Sequence, residues 1–340
     1  MYRARRPRLL LGVPLVRRLG HAAGQPLNGT RRVGMPAAHH RRSAGSLVSW
    51  PAQVQAALVL GDGRAEASPG EQPVPIASLA KVMTAHLTLA RHLLSGGQEG
   101  FTITITAAQA QAEAQDAAAD QPGVVLAAGE QLTERQLLEA LLIPSGNHSA
   151  QVLAAQVAGN ERSFVAEMNA QARALGMDHT AYTDPSGFDP STASTAADQL
   201  RIFQAAMRFP VFRQIVSTPS VTLPLAGTLT NFNPLIADGY AGKTGSDTAA
   251  GGCLASFTEV TVAGHRLTAV GVVMGQGQGS ETSAILAAAG AAAQRLVESA
   301  APASSEATIA TSPGVGASEK GGNSQLSAPG PPGSNRPQRK

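Results

Sequence analysis

The chain has 340 residues, 43% apolar, 14% charged and 4% aromatic, which is enough for one large core or two linked ones but too few aromatics for a carbohydrate-stacking surface. Its net charge of +3 and pI near 9.3 suggest an anionic partner, but residues 1–42 hold ten arginines and no acid, whereas residues 43–300 hold 12 basic and 21 acidic side chains. The basicity is therefore that of an arm on an acidic body, and with no aromatics interleaved in the arm a nucleic-acid partner is set aside. Cys253 stands alone, which excludes an intrachain disulfide and a cysteine-based metal site. His39 and His40 lie in the arm and the other histidines form no HExxH or HxH pattern, so neither metal nor cofactor is expected.

The chain opens on MYRARRPR followed by Leu9 to Val16, an apolar run of eight residues that contains Pro14. This is a weak export signal, and residues 1–48 are expected to be a basic arm or an atypical signal region without fixed structure. No stretch reaches the roughly 18 apolar residues of a spanning helix. Val54 to Leu60 and Phe101 to Thr106 read as strands, the second by strict alternation. After Ser78, the residues Leu79, Val82, Met83, Leu87 and Ala90 mark one face of a helix. A second helical stripe runs through Leu132, Leu137, Leu138, Leu141 and Leu142 until Pro144 stops it, and a third through Phe164, Val165, Met168, Ala172 and Leu175. Leu267 to Met274 reads as a buried strand, and Ser280 with Glu281 opens a last helix to about Glu298. From residue 301 to 340 the chain becomes a Pro/Gly/Ser-rich tail expected to be disordered. Strands early and late with helices between them predict an α+β fold, in which an antiparallel sheet built from both ends holds an inserted helical region over residues 49–300.

Lysine usage marks the chemistry. Residues 43–300 contain ten arginines and only two lysines, Lys81 in Ser78-Leu79-Ala80-Lys81 and Lys243 in Lys243-Thr244-Gly245. An arginine cannot give up its proton in a protein, whereas a desolvated lysine beside another cation can act as a base. Three residues apart on a helix, Ser78 and Lys81 share a face, with Ser78 at the end where free N–H groups favour negative charge. Taken alone, the pair also matches an ordinary N-cap serine and a solvated first-turn lysine. Ser145-Gly146-Asn147, after Pro144, is expected in a loop facing the site, although it is equally good turn chemistry. Lys243-Thr244-Gly245 precedes a buried strand, where a residue without a side chain would let a substrate backbone pair along the edge; a Gly-rich hairpin would read the same way. Each motif occurs once, in the order of the signature set shared by β-lactamases and penicillin-binding proteins.

With these motifs, the sequence resembles the D-alanyl-D-alanine carboxypeptidase family of low-molecular-weight penicillin-binding proteins. PIASLAKVMTA, LLIPSGN, FVAEMNAQARALGM, TDPSGFDP, STAADQLRIF, TLTNFNPLI and GKTGSDTAAGGC carry the resemblance over roughly residues 50–298. It implies the β-lactamase/transpeptidase-like fold: a sheet flanked by terminal helices, an all-helical region, and a site in the cleft between them. It further implies a secreted or cell-wall-associated serine peptidase that removes the terminal D-Ala of peptidoglycan stem peptides and is acylated by β-lactams. By the same resemblance Ser78 is the nucleophile and Lys81 its base, Ser145 relays a proton to the leaving D-alanine, and Asn147 holds the substrate amide. Lys243 supplies a persistent positive charge, Thr244 a hydroxyl for the substrate carboxylate, Gly245 room for its backbone, and the N–H groups of Ser78 and Ser246 the oxyanion hole. The sequence departs from the family pattern at His148 and Asp247, where an Asp and a Thr are usual, and lacks the C-terminal β-rich domain and anchor of many relatives. Two alternatives share the acylation machinery, a serine β-lactamase and a penicillin-binding wall protein that does not turn over. The only glutamates between Ser145 and Lys243 that could serve a class A β-lactamase are Glu161 and Glu167.

Overall fold

A computed structural model of the chain describes residues 48–51, 55–118 and 121–301, all within the contact unit Ala38–Lys340; the unit Met1–Ala37 lies outside the described residues. The expected arm and tail thus lie outside the described residues except at their edges, where Val48 is buried beside Trp50.

The chain begins with β1 (Ala56–Leu60), β2 (Glu66–Ala67) and β3 (Val74–Pro75), then a 3-10 turn (Ala77–Leu79) that runs into α1 (Ala80–Arg91). The next part comprises β4 (Thr102–Thr104), α2 (Ala107–Ala118), β5 (Gln131–Thr133), α3 (Glu134–Leu142), α4 (Asn147–Ala158) and α5 (Glu161–Ala174). It continues through β6 (Ala193–Ser194), α6 (Ala196–Ala206), α7 (Pro210–Val216), β7 (Ser220–Leu223), β8 (Gly227–Thr230) and a second 3-10 turn (Ile236–Asp238). The long strands β9 (Ala241–Asp247), β10 (Gly251–Val262) and β11 (His265–Gln276) and the helix α8 (Thr282–Ala300) close the described chain.

The main sheet has five strands in the order β2-β1-β11-β10-β9, and its neighbours are antiparallel throughout. Alternation along the strands gives it two apolar faces. Ala57, Val59, Cys253, Ala255, Val272 and Met274 face the helical region, where α6 lies against them. Ala56, Leu58, Leu254, Ala269 and Val273 face Ala289, Ala292, Ala293, Leu296 and Val297 of α8. Alanines along α8 permit a close approach, and at Gly252 any Cβ would strike the Ile285 carbonyl. Of the two flanking terminal helices that the resemblance implies, α8 is the C-terminal one; the chain before Val48 lies outside the described residues.

Two readings of the helical region need correction. The helix after Ser78 is not amphipathic in the way its stripe suggests. Every residue from Ala80 to Leu89 is buried because α3, α4, α5 and α6 surround α1, while Ala90, assigned to the apolar face, is exposed. Leu132 is not helical: it pairs with Ile103 in the antiparallel β4–β5 ladder, whose strands are separated in the chain by α2, and α3 starts one residue after Leu132's neighbour Thr133, whose capping box with Gln136 fixes its N-terminus. Among the described residues no helix is long and apolar enough to cross a membrane.

Candidate active site

Ser78 sits in the 3-10 turn that enters α1, and the turn is clamped from two sides. Ala77, just before it, has φ of 47°, a left-handed conformation that costs a non-glycine residue about 1–2 kcal/mol and so has to be imposed by its surroundings. Gly187 abuts the Ala77 carbonyl so closely that a Cβ there would collide with it. On the other side a Cβ on Gly245 would lie 2.8 Å from Ile76 O, 3.1 Å from Leu79 N and 3.3 Å from Ser78 N, so only glycine lets β9 come this near.

Lys81 is fully buried, and its Nζ has three partners: Ser78 Oγ at 2.7 Å, Asn147 Oδ1 at 2.7 Å and the Ser186 carbonyl at 3.0 Å. Two of the three are acceptors only. A neutral amine has two N–H groups and one lone pair, so when the N–H groups go to Asn147 and Ser186 the lone pair faces the Ser78 hydroxyl. Burial pulls the Lys81 ammonium down to about 7, against the opposing pull of the Asp184 carboxylate.

The Ser186 carbonyl is held by a loop that sequence reasoning recognised only as a family segment. Asp184 Oδ1 accepts from Ser186 N at 2.7 Å, Ser186 Oγ at 2.6 Å and Gly187 N at 2.6 Å; its Oδ2 accepts from Asp189 N and Thr192 Oγ1, both at 3.1 Å. Thr84 Oγ1 of α1 donates to the Pro185 carbonyl at 2.6 Å, which fixes the loop to the helix that carries Lys81. Asp-Pro-Ser-Gly is itself a signal for an Asx turn, the clue that would have pointed to this loop.

Ser145 is in the loop, with φ of 65°, but Asn147 is not: it is the first residue of α4. That position makes its side chain rigid. Asn147 N donates to Pro122 O at 3.0 Å, and Nδ2 donates to Gln121 Oε1 at 3.1 Å. Lys243, also fully buried, donates from Nζ to Ser145 Oγ at 2.9 Å and to the Thr244 carbonyl at 2.7 Å. Burial first, and then the charge of Lys81, holds Lys243 well below the usual lysine range. Two desolvated ammonium groups repel, so in the free site the charged form of Lys243 is disfavoured by burial and by Lys81.

The opposite wall is β9, in register with β10: Lys243 opposite Ala255, Thr244 opposite Leu254, Gly245 opposite Cys253 and Ser246 opposite Gly252. Cavities of about 460 and 350 Å³ meet at Ser78 and Ser246. The larger reaches Gln121, Asn147, Phe188 and Asp247; the smaller holds Ser145, Thr244, Gly245, Phe232 and Leu286. All eight residues singled out from sequence thus converge, six of them lining the cleft and the two lysines beneath it.

The two departures from the family pattern differ in their surroundings: among the described residues the buried His148 Nδ1 makes no hydrogen bond, whereas Asp247 is bound to backbone N–H groups. His148 is buried, with Nδ1 3.6 Å from Asp116 Oδ2 on α2. Asp247 Oδ1 accepts from Ala249 N at 2.8 Å and Ala250 N at 2.6 Å, so its carboxylate closes the β9–β10 turn. Neither Glu161 nor Glu167 lines either cavity, and Glu167 pairs with Arg91 at 2.8 Å. Cys253, in β10 opposite Gly245, is buried with its thiol pushed up to about 12, which keeps it protonated and inert.

A sequence profile of the D-alanyl-D-alanine carboxypeptidase family, peptidase S11, matches residues 65–277, more than half of the chain. The chain belongs to this family. It is 48% identical over 99 residues to a D-alanyl-D-alanine carboxypeptidase of Mycobacterium tuberculosis, which is 28% of this chain and 34% of that protein. It is 34% identical over 152 residues to a D-alanyl-D-alanine endopeptidase of Pseudomonas aeruginosa, 44% of this chain and 45% of the relative, so these alignments span less than half of either relative's length. The crystal structure of the Streptomyces K15 DD-transpeptidase superposes with a TM-score of 0.61 at 25% identity, over 72% of this chain and 95% of that one. The fold is thus the one that this D-alanyl-D-alanine peptidase family shares with the transpeptidase.

Proposed function

We propose that this member of the family is a serine-type D-alanyl-D-alanine carboxypeptidase, extracytoplasmic and penicillin-binding, that removes the terminal D-Ala of peptidoglycan stem peptides through an acyl-enzyme on Ser78. The observation that carries the reading is the threefold environment of Lys81 Nζ, in which two acceptors take the N–H groups and the third partner is the Ser78 hydroxyl. Neutral Lys81 takes the Ser78 proton as Oγ attacks the carbonyl of the penultimate D-Ala, and the N–H groups of Ser78 and Ser246 stabilise the oxyanion. The C–N bond then breaks, and the proton passes from Lys81 by way of Ser145 Oγ to the departing D-Ala nitrogen. Water attacks the ester, losing a proton to Lys81, which returns it to Ser78 Oγ as the acid product leaves.

Lys243 and Thr244 hold the substrate's terminal carboxylate, with Gly245 leaving space for its backbone. An arriving carboxylate favours the charged form of Lys243, and that charge in turn favours neutral Lys81, so the substrate itself sets the protonation states that the first step requires. The folded body over residues 49–300 contains every one of these groups, and we assign no chemical role to the arm or the tail. Among the described residues no glutamate lines the cleft to activate the deacylating water as in a class A β-lactamase.

The test is incubation with a diacyl D-Ala-D-Ala peptide and with a labelled penicillin, both followed by mass spectrometry. Free D-alanine and a penicilloyl adduct on Ser78 are expected. An adduct at another residue removes Ser78 as nucleophile, and rapid release of hydrolysed penicillin without D-alanine makes the protein a β-lactamase.

A further inference from the structure

The direction of the Lys81 lone pair depends on which way round the Asn147 amide sits, and a residue outside the three motifs touches its other end. Asn147 Oδ1 accepts from Lys81 Nζ at 2.7 Å while Nδ2 donates to Gln121 Oε1 at 3.1 Å. We propose that Gln121 is a positioning residue for acylation, holding the Asn147 amide so that its oxygen, and not its NH2 group, faces Lys81. The inference rests on the reading of Lys81 as the base.

The need arises once Lys81 has lost its charge. An ammonium, with only N–H groups to offer, selects the amide oxygen unaided. A neutral amine does not, because an inverted Asn147 would donate an N–H to its lone pair and compete with the Ser78 hydroxyl. With the Gln121 amide as it sits, inversion would set the Asn147 oxygen against Gln121 Oε1, so the two amides would have to turn over together. The backbone keeps the two residues in register: Gln121 N donates to Asp116 O at the end of α2, and Pro122 O accepts from Asn147 N, both at 3.0 Å. Gln121 lines both the main cleft and a side cavity of about 590 Å³ that it shares with Glu113, so its side chain belongs to the wall of the site.

The charged groups that bear on Lys81 are Asp184 and Lys243, and α2 and α4 bring Glu113, Asp116 and His148 to the Gln121 side. Variants at one position leave all of these in place.

The experiment measures the rate of Ser78 acylation by a fluorescent penicillin from about pH 5 to 10 in the full chain, for the wild type, Gln121→Ala and Gln121→Glu. Gln121→Ala should lower the plateau rate about tenfold, the worth of one directed hydrogen bond, and move the acid limb to lower pH, since a donor facing Lys81 favours its neutral form. Gln121→Glu keeps an acceptor opposite Asn147 Nδ2 and adds negative charge. It should restore the plateau to within about threefold and move the limb to higher pH. The added charge in Gln121→Glu raises the limb whatever the role of Gln121, so the readouts that a packing defect does not produce are the downward shift in Gln121→Ala and the restored plateau in Gln121→Glu. Wild-type behaviour in Gln121→Ala, or a Gln121→Glu no faster than Gln121→Ala at every pH, overturns the proposal. Should Gln121→Ala fail to fold, Gln121→Glu decides alone, and a plateau rate more than about threefold below the wild type's overturns the proposal. A wild type that forms no adduct at Ser78 sinks the underlying reading together with this one, whereas normal wild-type acylation with unresponsive variants sinks only this one.

Discussion

The two walls of the cleft are held by different means. On the helical wall the Lys81 side chain joins Ser78 Oγ, Asn147 Oδ1 and the backbone carbonyl of Ser186, while Ser145 Oγ accepts from Lys243 across the cleft. On the strand wall Thr244, Gly245 and Ser246 are placed by the β9–β10 ladder, and what counts is how close the backbone comes to the turn bearing Ser78. The difference separates chemistry from geometry. Replacing a residue of the helical wall should change which proton moves where, and replacing one of the strand wall should change where the substrate and the nucleophile meet.

The largest expected effect sharpens that contrast by exchanging the same residue type on each wall. Lys81→Arg should lower Ser78 acylation by about a hundredfold to ten-thousandfold, because a guanidinium stays charged and cannot accept the serine proton. Lys243→Arg should retain measurable acylation, since a cation on the strand wall still attracts a carboxylate, although the bulkier group loses some fit. With Lys81 at about 7, the wild-type rate should fall as pH drops through 7 and level off above it. Acylation rates of both variants across that range check this. Equal rates would remove Lys81 as the base and turn attention to Lys243 and Ser145.

Next in size is a change on the strand wall that alters no ionisable group. Gly245→Ala places a methyl 2.8 Å from Ile76 O and 3.1 Å from Leu79 N, backbone atoms that yield only if β9 and the Ser78 turn move apart. A displacement of a few tenths of an ångström at a nucleophile should slow acylation about tenfold to a hundredfold, and the overpacking should cost on the order of 1–3 kcal/mol of stability. The position of the acid limb should not move, because no group near Lys81 has changed its charge. Stopped-flow acylation with a melting curve reads both quantities, and a displaced limb would mean that the walls are not separable in this way.

How much of this was legible in the sequence follows the same division. The lysines stood out because the acidic body uses arginine almost everywhere else, and Ser78, Ser145 and Asn147 stood out through spacing. Apolar runs placed β1 and β11, which the core covers on both faces, and the helical stripes placed α3 and α5 by the one face that meets the core. The rest depended on tertiary neighbours. The all-round burial of α1 is set by four other helices, and Leu132 is drawn into a strand by its partner Ile103. The Ser186 carbonyl is a backbone atom with no residue signature, and its usefulness follows only from the Asp184 loop that aims it. The downward pull on the Lys243 ammonium comes first from burial, which a motif does not encode.

The smallest effect is expected outside both walls, at a buried ionisable group that neither wall uses. Glu134, at the start of α3, is 1% exposed, its Oε1 is without a hydrogen-bond partner, and Gly100 presses so near that no side chain fits there. Burial pushes its carboxyl from the ordinary 4.5 up to about 7, against the opposing hydrogen bond from the Phe101 backbone. Between those two values the folded protein holds a proton that the unfolded chain has released, so stability is fully present below about 4.5 and is lost as pH rises through 7. Glu113, in α2, carries the same burden and also sits at about 7, with burial again the largest cause. The melting temperature of the wild type should therefore decline from pH 5 to 8, and Glu134→Gln, which cannot ionise but keeps an acceptor for the Phe101 N–H, should make that decline shallower. At pH 8 the variant should melt on the order of a few degrees above the wild type, with acylation of Ser78 unchanged. Melting curves at several pH values decide it. A decline as steep as the wild type's would show that Glu134 already finds a way to ionise in the folded state, and that its burial differs in kind from that of the lysines in the cleft.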